Sequence, residues 1–181
     1  MKAIAASIPF HSWRSLSSWS AEERPAALWP YLSEAGSLTE RLKAKVGAAF
    51  QVRILQQQAS PLLPQDAALL YAKTGEPAYL RQVYLCGPEP LVYARSVAAG
   101  EGASWLEELG DNPLGARVFA GPDARRGPIE VTCLTPGEPL HTAAVAGLSH
   151  VPQKIWARRS LLTVGAAAIL IYECFLPELG G

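Results

Sequence analysis

YLRQVYLC (79–86), followed by GPE (87–89) and PLVYARSV (90–97), is the stretch whose reading decides the fold. Both runs are rich in β-branched and aromatic residues, and a short Gly-Pro segment separates them, which is the signature of a β-hairpin. Side chains alternate between the two faces of a strand. Arg81 therefore shares a face with Val83 and Leu85, and Arg95 shares one with Leu91, Tyr93 and Val97.

Upstream, FQVRIL (50–55) repeats the period-two pattern and predicts another strand. Before it, GSLTERLKAKVG (36–47) predicts a helix, with Ser37 as cap, Glu40 completing a capping box and Gly47 as the stop. Leu38, Leu42 and Val46 then lie on one face. Residues 1–27 read as an N-terminal arm carrying Trp13 and Trp19, and Pro30 marks a helix end or turn. Pro61 and Pro64 mark a loop. Downstream, SWLEELG and the segment opening at Asn112-Pro113 predict two short helices, the second with proline at its first position, and PIEVTCL (128–134) predicts a strand. Residues 135–153 hold three prolines and two glycines without a sustained period and read as an extended surface loop. SLLTV and AILIYECFL around Gly165 close the chain as a second hairpin. Strands joined mostly as hairpins, with helices grouped between them, predict an α+β fold in which helices cover an antiparallel sheet, as one domain over 1–181.

Composition narrows the function classes. Sixteen basic residues balance sixteen acidic ones, which argues against a nucleic-acid partner and a polybasic membrane surface. The apolar run Leu161–Tyr172 is shorter than the ~20 residues of a spanning helix, and the N-terminus has no signal-peptide core. Cys86, Cys133 and Cys174 are odd in number and widely spaced. They predict small buried hydrophobes in a reducing cytoplasm, without a disulfide framework or zinc site. His11, His141 and His150 have no ligand spacing, and neither HExxH, GxSxG nor a phosphate-cradling loop occurs, so no metal is expected. Balanced charge and the lack of a heptad favour a monomer.

The informative residues are charges in apolar company. On the last strand Glu173 shares a face with Ile169, Ile171 and Phe175. Arg81, Arg95 and Glu173 either pair with one another inside the sheet, face solvent, or line a pocket for an anionic ligand, to which an arginine offers a planar fork. Arg158-Arg159 either binds an anion or, as such a pair more often does, forms a solvated strand entry.

GSLTERL (36–42), YLRQVYLC (79–86), NPLGARVF (112–119) and WARRSLL with YECFLP (156–162 and 172–177), in this order, resemble the chorismate pyruvate-lyase family. The resemblance implies an enzyme without cofactor that converts chorismate to 4-hydroxybenzoate and pyruvate, the first step of ubiquinone synthesis. It also implies helical flaps closing over an internal site. Residue by residue, it implies that Arg81 binds the ring carboxylate with the Leu114 backbone, that Leu38 adds a contact, and that Glu173 meets the phenol end. Arg95 is implied as a second arginine of the inner cavity, and the mechanistic expectation built on this is that it holds or stabilises the enolpyruvyl carboxylate. Glu173 and Arg95 are thus the expected catalytic residues, and a raised Glu173 pKa would suit acid–base work. Trp156-Ala157 departs from the family's tryptophan-glycine. A non-catalytic sensor domain with the same fold is the competing reading, and too few residues precede the first motif to hold a winged helix.

Overall fold

The structure is a computed structural model describing residues 13–180. His11 and the first part of the predicted arm lie outside the described residues. The strands are β1 (Arg14–Ser15), β2 (Gln51–Pro61), β3 (Pro77–Cys86), β4 (Pro90–Ala99), β5 (Ala124–Arg126), β6 (Glu130–Leu134), β7 (Ile155–Val164) and β8 (Ala167–Phe175). All pairings are antiparallel, in the order β1-β6-β7-β8-β4-β3-β2 with β5 added beside β7. The helices are α1 (Trp29–Leu32), α2 (Leu38–Val46), α3 (Pro64–Leu70), α4 (Glu101–Glu107), α5 (Leu114–Val118), α6 (Pro139–Val145) and α7 (Pro177–Gly180). The predicted α+β class with an antiparallel sheet holds.

Both predicted hairpins form. Gly165 turns β7 into β8 at φ +57°, a conformation glycine adopts without steric cost. α2 begins where the sequence says: the Ser37 hydroxyl accepts the Glu40 backbone N–H at 3.2 Å, and Gly47 stops the helix at φ +57°. The Glu40 carboxylate bonds Lys43. β2 runs six residues beyond the predicted strand through a bulge that places Leu55 out of register, so that Gln57 faces Arg81.

Register then sorts the side chains. Arg81 opposes Ser96, Ala94 opposes Glu173, and Glu173 opposes Arg158, so these five share one face. Leu38 and Leu42 of α2 and Leu114 and Val118 of α5 pack on that face. Gln82 opposes Arg95, and Arg95 opposes Tyr172, on the other face. There, α3 packs against Val97 and Leu170, and α6 packs on Tyr84, Tyr93 and Cys174. Helices on both faces bury nearly all of β4 and β8.

Three expectations are corrected. Residues 135–153 contain α6, whose His141, Ala144 and Val145 are buried. Seven residues give no readable helical period, and Pro139, read as a loop marker, stands in the first turn, where a missing N–H costs nothing. α5 starts one residue late: Pro113 caps it, and the Asn112 amide turns back to the Leu109 carbonyl at 3.1 Å. Arg158 is fully buried, not a solvated strand start. Cys86 and Cys174 are buried as expected, and Cys133 is partly exposed.

Candidate active site

Two cavities flank the sheet. On the α2/α5 face, Arg81, Ser96, Leu114, Phe119, Arg126 and Glu173 are among the residues enclosing a space of about 30 Å³, and Leu38 and Thr39 roof it from α2. On the opposite face, Asp66, Gln82, Tyr93, Arg95, Arg159 and Tyr172 line part of a larger cavity of about 350 Å³.

The structure thus brings Arg81, Leu38, Leu114 and Glu173 together and separates Arg95 from them. Arg95 lies behind the sheet, forked onto Asp66 at 2.6 and 3.1 Å, and Tyr172 donates to the same carboxylate at 2.9 Å. Burial opposes the Arg95 charge, but Asp66 more than offsets this and holds its pKa above the ordinary arginine value. One residue of strand parity decides the matter, because neighbours along a strand point to opposite faces. Among the charged groups lining the larger cavity, Arg95 is neutralised by Asp66, and Arg159 meets Glu130 at 2.7 Å.

The small cavity differs. Arg81 Nε donates to Gln57 Oε1 at 3.0 Å, and Nη2 donates to the carbonyls of Gly110 and Asn112 at 3.4 and 3.0 Å. That leaves Nη1 without a partner among the described residues. No carboxylate lies within ion-pair range of Arg81 there, and Asp111 acts on it only from farther away. Burial lowers the Arg81 pKa. The same bonds anchor the chain just before α5, so Arg81 also positions the Leu114 N–H, which has no intrahelical acceptor at a helix start.

Across the cavity, Glu173 Oε2 accepts from Arg158 Nε at 2.5 Å and lies 3.8 Å from Arg126 Nη1, while Oε1 makes no hydrogen bond among the described residues. Burial alone would raise the Glu173 pKa. The charges of Arg158 and Arg126, with the Arg158 hydrogen bond, outweigh it and leave the pKa below the ordinary carboxylate range. The raised value that would suit acid–base work is not the direction found, because the nearest charges are arginines that alternation did not connect to Glu173. Arg158 Nη1 is spent on the carbonyls of Tyr31, Leu32 and Glu34.

Arg126 was missed as a site residue, and Arg158 was weighed as an anion binder but set aside as solvated. Arg158 had a signal, since it shares parity with Trp156, Ser160 and Leu162. Arg126 had none, because a three-residue strand shows no period. Among the described residues, no three His, Cys, Asp or Glu side chains group as metal ligands.

The roof depends on a close approach. A Cβ at Gly115 would stand 2.8 Å from Thr39 Oγ1 and 3.1 Å from Ser37 Oγ. Gly115→Ala is therefore expected to push α5 from α2 and cost ~1–3 kcal/mol, as overpacking does. Urea unfolding checks this, and an unchanged midpoint would mean the two helices part freely. A volume of about 30 Å³ holds about two waters, so an organic ligand requires these helices to separate.

A family model described as "Chorismate lyase" matches residues 13–179. A "Probable chorismate pyruvate-lyase" of Azoarcus sp. (strain BH72) is 36% identical over 179 residues, covering 94% of this chain and 93% of that protein. One from Pseudomonas aeruginosa (strain PAO1) is 38% identical over 160 residues, covering 86% of this chain and 85% of that protein. Among solved structures, the effector domain of PhnF from Mycobacterium smegmatis matches with a TM-score of 0.60 at 14% identity, over 79% of this chain and 90% of that one. A GntR-family transcriptional regulator from Bacillus cereus matches at 0.51 and 13%, over 72% of this chain and 94% of that one. At such identities the likeness is of fold alone.

Proposed function

Because the chain belongs to the chorismate lyase family and is a lyase acting on chorismate, we propose that it releases 4-hydroxybenzoate and pyruvate, as the first step of ubiquinone synthesis. The observation that carries the reading is the pair of polar atoms left uncommitted among the described residues by two side chains lining one cavity: Arg81 Nη1, a donor, and Glu173 Oε1, an acceptor.

Chorismate carries a ring carboxylate and, across the ring, a hydroxyl beside the enolpyruvyl ether. Arg81 and the Leu114 N–H take the ring carboxylate, a charge-assisted pairing. Glu173 accepts from the hydroxyl, and Leu38 closes over the ring. The ether C–O bond then breaks. The hydrogen on the hydroxyl-bearing carbon passes as a proton to the methylene of the departing enolpyruvyl group, which leaves as pyruvate, and the ring becomes aromatic. Atoms balance without water, oxidant or cofactor. The driving force lies in the substrate, so holding a reactive conformer, worth up to ~7–11 kcal/mol in favourable cases, is the protein's main contribution. A carboxylate held below its ordinary pKa is a weak base, which suits Glu173 to orienting the hydroxyl and leaves proton acceptance to the substrate.

Purified protein with chorismate and chelator is expected to produce 4-hydroxybenzoate, followed by its ultraviolet absorbance, and pyruvate, followed by a coupled assay, in equal amounts. Tight 4-hydroxybenzoate binding without turnover would make the protein a sensor. Neither binding nor turnover would remove the reading. The proposal includes a cytoplasmic monomer that does not bind nucleic acid. Among the described residues, no helix is long and apolar enough to cross a membrane.

A further inference from the structure

The substrate of the proposed reaction has two carboxylates, and only one has been given a partner. With Arg95 behind the sheet, the enolpyruvyl carboxylate needs another cation. It must stand beside Glu173, because the ether carbon is the ring neighbour of the hydroxyl-bearing carbon that Glu173 orients. Resting on that reading, we propose that Arg126 is a substrate-binding residue that receives the enolpyruvyl carboxylate of chorismate.

Position comes first. Arg126 lines the cavity, its side chain is only 6% exposed, and its Nη1 lies 3.8 Å from the Glu173 carboxylate. Valence comes second. Of the five N–H groups of a guanidinium, Nε goes to the Ala35 carbonyl at 3.2 Å, Nη1 to Ser160 Oγ at 2.6 Å and Nη2 to the Gly36 carbonyl at 3.4 Å. One N–H on each terminal nitrogen therefore stays uncommitted among the described residues, and a fork of that kind matches a carboxylate.

Charge comes third. Glu173 is shared by two buried arginines, so the cluster of Arg126, Arg158 and Glu173 holds a net single positive charge. Glu34 acts on Arg126 and Arg158 only from longer range, being paired with Arg41 at 2.8 Å. Desolvation accordingly pulls the Arg126 pKa down to about 10, still charged at neutral pH. On the far side Arg81 has no ion-pair partner among the described residues. The cavity therefore presents one uncompensated positive charge at each end, complementary to a dicarboxylate. An anion that neutralises a buried, unpaired charge relieves a large penalty. As the ether bond breaks, negative charge grows on the enolpyruvyl group, and Arg126, which stays protonated, lies against it. The product 4-hydroxybenzoate retains nothing that reaches Arg126.

That difference is the test. Chorismate kcat/KM and 4-hydroxybenzoate Kd are measured for wild type, Arg126→Gln and Arg126→Lys, and the rival assignment is tested in parallel with Arg95→Gln. Arg126→Gln is expected to lower kcat/KM about 100-fold, the effect of removing a charge-assisted hydrogen bond, while 4-hydroxybenzoate Kd moves less than about threefold. Arg126→Lys keeps the charge without the fork and is expected to recover part of the loss, to within about tenfold of wild type. If Arg126→Gln does not fold, Arg126→Lys decides on the same comparison: a loss confined to chorismate supports the inference. Equal losses for both ligands would assign Arg126 to the roof or to Glu173 alone and overturn it. So would unchanged chorismate kinetics, or a chorismate-specific loss in Arg95→Gln with none at Arg126. Wild type failing to turn over chorismate would remove the functional reading, and this inference with it, whereas turnover by wild type with no effect at Arg126 sinks the inference alone.

Discussion

Arg81→Ala is expected to weaken 4-hydroxybenzoate binding and raise the chorismate KM by roughly 100-fold or more, since truncating one partner of a desolvated charge pair costs about 2–5 kcal/mol. Two effects add in this variant. The carboxylate loses Arg81 Nη1, the arm the protein leaves uncommitted. The carbonyls of Gly110 and Asn112 also lose the donor that holds the chain ahead of α5, so the Leu114 N–H is displaced as well. Arg81→Lys separates the two. It restores a point charge but not a planar fork, so binding is expected to return only in part. Isothermal titration with 4-hydroxybenzoate measures both variants. An unchanged affinity in Arg81→Ala would take Arg81 out of the site.

Glu173→Ala is expected to destabilise the fold by about 3–5 kcal/mol, the cost of leaving buried charge without its partner, against a total of ~5–15 kcal/mol for an ordinary domain. Arg158 is fully buried and Arg126 nearly so, and among the described residues Glu173 is the carboxylate in ion-pair range of each. Urea unfolding at neutral pH measures the loss, and a change under about 1 kcal/mol would mean water reaches the cluster. Glu173→Gln keeps an oxygen for Arg158 and is expected to cost less, with turnover retained if Glu173 orients the hydroxyl. A collapse of kcat with product affinity intact would make Glu173 the base. The pH dependence follows from the direction of the shift. The folded pKa is below the ordinary 4.5, so the stabilisation is fully present above that value and drains away as pH falls through the folded pKa. Wild type should therefore lose stability more steeply than Glu173→Gln below about pH 4.5, and parallel curves would contradict the shift.

Much of this was legible in the chain. Alternation along 79–97 and around Gly165 specified both central hairpins, because strand periodicity is local. Ser37 and Gly47 marked the ends of α2 through hydrogen-bonding and backbone preferences that act within a few residues. Arg81 and Glu173 stood out as charges on apolar faces, and both line the cavity. Short elements were less legible: α6 was hidden among prolines, and β5 is too brief to carry a pattern.

Which charges meet was not legible at all. Arg95 was drawn into the site by its apolar neighbours, yet the β3–β4 and β4–β8 registers turn it to the opposite face, onto an Asp66 with no visible connection to it in sequence. Arg158 and Arg126 reach Glu173 across β7 and from β5. The chain by itself determined the antiparallel α+β architecture and two charged residues of the cavity, because periodicity, capping and turn chemistry are written within a few residues. Only the tertiary structure decided the facing of Arg95, the lowered pKa of Glu173 and the positive charge at each end of the cavity. Those depend on Coulomb interactions and desolvation between groups that register brings together from distant parts of the chain.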